Sequence, residues 1–75
     1  MSLSFTIDPN VRVRGDQTYA DISDAHGVMP GIGERVEARE PESGTTWPAV
    51  VTTVDLPKGL VYLLVAWDEG TRGQV

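Results

Sequence analysis

The chain of 75 residues contains no cysteine, so neither a disulfide framework nor a thiolate zinc site holds it together. Lysine occurs once, at Lys58, asparagine once, at Asn10, and histidine once, at His26. A single imidazole, with only Asp21 and Asp24 near it in sequence, is a poor basis for a metal site. No apolar run exceeds the eight residues 60–67, far short of the roughly 20 that a helix needs to cross a bilayer. The opening MSLSFTIDPN has neither the basic region nor the apolar stretch of a signal peptide. The expectation is a cytoplasmic protein, or a virion or tail component assembled in the cytosol. Scarce Lys and Asn beside ten Val fit a GC-rich genome, bacterial or phage.

Positive charge is also scarce. Six Lys and Arg stand against eleven Asp and Glu, for a formal net charge of −5. The basic residues Arg12, Arg14, Arg35, Arg39, Lys58 and Arg72 form no cluster along the chain. Neutralising phosphates takes a concentrated basic surface, so nucleic-acid or ribosome association is disfavoured unless folding gathers Arg12, Arg14 and Arg39. A chain this short buries only about 60% of the surface it exposes when unfolded. One domain, residues 1–75, is expected, with stability drawn from apolar packing or from association.

Helical periodicity is missing as well: no window sustains apolar residues at i, i+3, i+4 and i+7, which leaves room for a single 3₁₀ turn at most. Strand patterns fill the chain instead. Residues 3–8 alternate, with Leu3, Phe5 and Ile7 apolar, until Pro9 removes a ladder donor. Val11-Arg12-Val13-Arg14 and residues 17–22 flank Gly15-Asp16, the pattern of a two-residue hairpin turn. That turn pairs Arg14 with Gln17 and Val13 with Thr18. One face then carries Val11, Val13, Thr18, Ala20 and Ile22, and the other Arg12, Arg14, Gln17, Tyr19 and Asp21. Residues 23–33, with three Gly and a Pro, read as a crossing loop.

Longer strands follow at residues 34–39, 46–54 and 60–67. Pro and Gly punctuate both connections, Glu40-Pro41-Glu42-Ser43-Gly44 and Asp55-Leu56-Pro57-Lys58-Gly59, as hairpin loops require. The run 60–67 is apolar on both parities, so it is expected to be buried on both faces: one lining a barrel interior, the other covered by the N-terminal hairpin or a second subunit. Gln74 and Val75 form a short closing strand at most.

From Gly33 the chain reads Gly-x-x-Val-x-Ala, an acidic Gly-containing loop, then Trp47-Pro48-Ala49-x-Val51-x-x-Val54-Asp55, then an apolar strand ending near Gly70. This resembles Tudor domains, whose second strand likewise begins with an aromatic followed by Pro and Ala. The resemblance covers residues 33–75 and implies a small SH3-like barrel, here with an added N-terminal strand and β-hairpin layered over its outer face. It also implies a peptide or modified side chain held in a groove between Trp47 and Trp67. Methyl-reading members hold the cation in an aromatic cage, whose positions correspond to Glu40, Trp47, Trp67 and Glu69, two aromatic and two acidic. Trp47 and Trp67 also read as large strand-end residues closing the barrel rim, and that reading is preferred over the groove.

Other constellations carry less. Asp68 and Glu69 are adjacent in a turn, whereas acid–base pairs face each other across a cleft. Ser23 and Ser43 have no base to activate them. Gly31-Ile32-Gly33 is similar to a phosphate-cradling loop, but no helix follows it. The chain is therefore read as a non-catalytic, cofactor-free protein-interaction or assembly module. Its expected partner is another protein or a second copy of itself, met through strand edges or through the apolar outer face at Tyr62 and Leu64.

Overall fold

The computed structural model describes residues 3–72. It is all-β: one five-stranded sheet curled into a half-barrel, with two short 3₁₀ turns. The strands are β1 (Ser4–Thr6), β2 (Gln17–Asp21), β3 (Arg35–Glu40), β4 (Thr45–Asp55) and β5 (Leu60–Val65). Their spatial order is β1-β3-β4-β5-β2, with β1 parallel to β3 and every other pair antiparallel. The 3₁₀ turns are Ile22–Ala25 and Trp67–Glu69.

Alternation decides which side chains face inward. Phe5 and Ile7 from the first segment, Thr18 and Ala20 from β2, Val36 and Ala38 from β3, Ala49 and Val51 from β4, and Val61, Leu63 and Val65 from β5 fill the concave face. Inward parity was legible for β1 and β2, where one side is apolar, and not for β5, whose run is apolar on both sides. The β3–β4 and β4–β5 connections are the expected hairpins, with Gly44 N–H donating to Glu40 O and Gly59 N–H to Leu56 O. Thr52 forms a bulge between Val51 and Thr53, where its hydroxyl lies 2.6 Å from Gln17 Oε1 and 3.2 Å from the Tyr62 carbonyl. The bulge bends β4 sharply, as curling the sheet requires.

Three expectations need correction. First, residues 11–22 do not form a two-residue hairpin. Val13 faces Gln17 in a single bridge, so the turn has three residues, with Arg14 at φ 51° and Gly15 at φ 86°. Pairing stops there, because Asp8 bends the preceding chain by accepting from Asn10 N–H and, through its carbonyl, from Val11 N–H. Second, the N-terminal strands are not a layer over the sheet. They are its edges: β1 beside β3, and β2 beside β5.

Third, β5 ends at Val65, and its outer face is only partly covered. Tyr62 is half-buried and Leu64 is 47% exposed. The cause of the early ending lies on the neighbouring strand. Ala66 N–H donates to the Pro48 carbonyl, but Pro48 has no N–H to return. The Ala66 carbonyl instead accepts from Glu69 N–H, which closes the second 3₁₀ turn. Two 3₁₀ turns therefore stand where at most one was expected. After them Thr71 bridges to Thr46 through two backbone bonds of 2.7 and 2.8 Å, while the expected closing residues 74 and 75 lie outside the described residues.

Candidate functional site

Trp47 lies on β4 opposite Ala38, at the rim of the concave face. Trp67 continues the inward parity of β5 into the second 3₁₀ turn. The two indoles meet edge to face, with centroids 5.2 Å apart and planes at 69°. An aromatic pair of this geometry is attractive beyond its buried area. No groove separates the rings. Gly70 lies so close to Trp47 that a Cβ there would overlap Trp47 Nε1.

The remaining face of Trp67 is also engaged. The Arg12 guanidinium sits 3.8 Å from the ring centroid, and Trp67 Nε1 donates to the Asp16 carbonyl at 2.7 Å. Arg12 also lies 3.9 Å from the Asp16 carboxylate. A second clasp follows two residues along: Arg14 sits 4.2 Å over Tyr62 and donates to Thr53 Oγ1. Tyr62 meets its cross-strand partner Tyr19 edge-on at 6.3 Å. Two arginines thus hold the segment 8–16 against the aromatic side chains of the sheet.

Of the four cage positions, Trp47 and Trp67 come together and Glu40 and Glu69 do not join them. Glu40 ends β3 and turns its carboxylate into the following loop, where it accepts from the Ser43 hydroxyl and from Ser43 and Glu42 N–H. The Ser43 hydroxyl foremost, with the two backbone N–H groups, outweighs desolvation and holds Glu40 below the usual carboxylate range. Glu69 lies exposed in the second 3₁₀ turn, beside a depression of about 560 Å³ that it shares with Leu64, Val50, Pro48, Asp16 and Arg35.

No protein-family model matches the chain, and neither a curated protein nor a solved structure matches it. The reading of the site therefore rests on its own residues.

The expected outer-face pair, Tyr62 and Leu64, differ in cover. Tyr62 lies beneath Arg14 and beside Tyr19, whereas Leu64 is open. Leu64 sits in a row that crosses four strands, Gln17–Leu64–Val50–Arg35, with Ala66 and Pro48 in the next row. Val50, Pro48 and Arg35 were missed from sequence because cross-strand register, not local pattern, places them beside Leu64. Their one visible signal was the alternation on β4, which sets Pro48 and Val50 opposite to Ala49 and Val51.

His26, Asp21 and Asp24 have separate local roles. His26 ends the first 3₁₀ turn at φ 53°. Asp21 accepts from Ser23 N–H and Asp24 from Thr6 N–H. The Ser23 backbone bond, with its side chain, lowers the Asp21 pKa against a smaller opposing desolvation. Among the described residues no group of three or more His, Asp and Glu is placed to hold a metal ion. Arg12 and Arg14 clasp rings beside β5, and Arg39 lies on β3, with β4 between them.

Proposed function

We infer that this chain is a non-catalytic protein-interaction module, an SH3-like barrel in which the outer sheet face at Leu64 associates with a second copy. Support for the SH3-like reading is the single strongly bent five-stranded sheet with a long bulged central strand. Two of those five strands come from the N-terminal segment, so the likeness does not reside in residues 33–75 alone.

One observation carries the functional reading: Leu64 stands 47% exposed in the middle of a sheet, with half-buried Val50 and exposed Pro48 around it. Apolar residues grouped on a sheet face are an association surface. Charges at the two ends of the row make that surface self-complementary. Arg35, which has no ion-pair partner among the described residues, lies at the β3 end, and Asp16 adjoins the β2 end. A two-fold axis near Leu64 sets Arg35 of one copy against Asp16 of the other, the pattern an isologous interface needs. Tyr62 extends the surface on one side. The Trp47–Trp67 groove is the weaker reading, since the rings touch each other and Arg12 occupies the open face of Trp67.

Absence of native cysteine makes a clean test available. Under mild oxidation Leu64→Cys forms a disulfide-linked dimer much faster than Leu56→Cys, which places a thiol at a more exposed loop position. Equal rates for the two variants contradict the assignment.

A further inference from the structure

The sheet has two edges, β1 and β2, and they do not pair with each other. Register shows which backbone groups this leaves open. Ile22 N–H donates to the Gly59 carbonyl, one step past the Asp21–Leu60 pair. Ladder bonds in an antiparallel pair fall on alternate residues. Ala20 and Thr18 therefore bond to β5, while the N–H and C=O of Tyr19 and the N–H of Asp21 point away from it; the Asp21 carbonyl, at the cap of the first 3₁₀ turn, is taken up by that turn. Gln17 confirms the direction, since its carbonyl accepts from Val13 on that same side. Across the gap, Ile7 N–H donates to Arg39 and the Leu3 carbonyl accepts from Glu37, so odd-numbered residues of β1 face β3. Ser4 and Thr6 face the gap, where Thr6 N–H is taken up by Asp24.

An open cleft of about 680 Å³ occupies the gap beside these groups, with Tyr19 and Asp21 on one wall. Asp8, Asp21, Glu40 and Glu42 all border it, and no Lys, Arg or His does among the described residues. Native sheets ordinarily protect an edge with Lys, Pro or a bulge. The β2 edge at Tyr19–Asp21 carries none of these.

We propose that this cleft binds an extended, Lys- or Arg-bearing segment of a partner protein, which adds to the β2 edge as a further strand. Backbone pairing with Tyr19 and Asp21 supplies the attachment, and alternate side chains of the guest meet the surrounding carboxylates. Charge selects this guest over a second copy of the chain, whose own β2 edge carries Asp21 into a cleft that is already acidic. The site lies at the sheet edge, away from Leu64, so it stands or falls independently of self-association.

The test uses the intact chain, isotopically labelled, and a short acetylated peptide of alternating Lys and Val. On titration the amide signals of Tyr19 and Asp21 shift, and their hydrogen exchange slows about tenfold or more as they enter a ladder. Asp21→Asn, which keeps the cap on Ser23, and Glu42→Gln each weaken binding about twofold to fivefold, as loss of one exposed charge pair does. A peptide N-methylated at alternate residues fails to protect the two amides. Any of three results overturns the proposal: no shift at millimolar peptide, equal binding of the alternating Glu and Val peptide, or shifts centred on Leu64. Protection of Tyr19 and Asp21 that grows with protein concentration and without peptide also overturns it, assigning the edge to a second copy.

Discussion

Thr18 is the one buried side-chain polar atom without a hydrogen-bond partner among the described residues, and it is wholly enclosed by the core. Folding strips water from that hydroxyl and returns nothing. Thr18→Val keeps the shape and removes the penalty, so it raises stability by about 1 kcal/mol, read as a higher urea midpoint. Gly70 is the opposite case. Its backbone angles are ordinary for any residue, φ −66° and ψ 139°, so glycine is required there by space alone. An added Cβ would overlap Trp47 Nε1 and lie 2.8 Å from Cδ1. Gly70→Ala therefore separates the indole pair, costing about 1–3 kcal/mol and changing the near-ultraviolet dichroism of the tryptophans.

Glu40 gives a pH dependence of defined sign. Its carboxyl is held below the ordinary value of 4.5, chiefly by the Ser43 hydroxyl. A depressed folded-state pKa means that the stabilisation is complete above the ordinary range and is lost as pH falls through the lowered midpoint. A residue-resolved titration finds that midpoint below 4.5, and Glu40→Gln removes this part of the acid dependence.

Among the elements, the segment 8–16 is the one held by side chains in place of a ladder. Arg12 on Trp67, Arg14 on Tyr62 and the Trp67–Asp16 bond fasten it. Arg12→Ala removes an exposed cation–π contact worth about 0.5–1 kcal/mol. Amide exchange then quickens at residues 11–16 and stays unchanged in β2. A matching loss of protection in β2 would show that the two are not fastened separately.

The same segment shows where sequence reasoning stopped. Hairpins β3–β4 and β4–β5 were legible because their turn residues lie within the pattern they close. The inward parity of β2 was legible for the same reason. Its partner was not, since pairing with β5 links residues 39 to 47 positions apart and a three-residue turn shifts Val13 by one place. Nor could the end of β5 be read from its own apolar run, since Pro48 on β4 sets it. Of the candidate site, both indoles and Leu64 were visible in sequence. Arg12 as the occupant of the Trp67 face was not, because its ring partner comes from the opposite end of the chain.

For the whole molecule, packing and charge act against each other. The particle measures 36 × 27 × 19 Å and carries −5. Two such charges centred ~25 Å apart repel by about 4 kcal/mol in unscreened water, and screening at physiological salt removes most of it. Each exposed Arg35–Asp16 pair across the proposed interface contributes only about 0–1 kcal/mol. At low salt the repulsion outweighs these pairs, so association strengthens as salt rises to physiological concentration. Weakening over that range would mean that ion pairs, and not the apolar patch, hold the copies together.

The central claim, that the Leu64 face joins two copies, is tested most directly by light scattering in physiological salt over a wide concentration range. The expected molar mass rises from 8.1 kDa toward twice that value, while a Leu64→Glu variant stays at 8.1 kDa throughout. A wild-type mass fixed at 8.1 kDa up to millimolar concentration would contradict it.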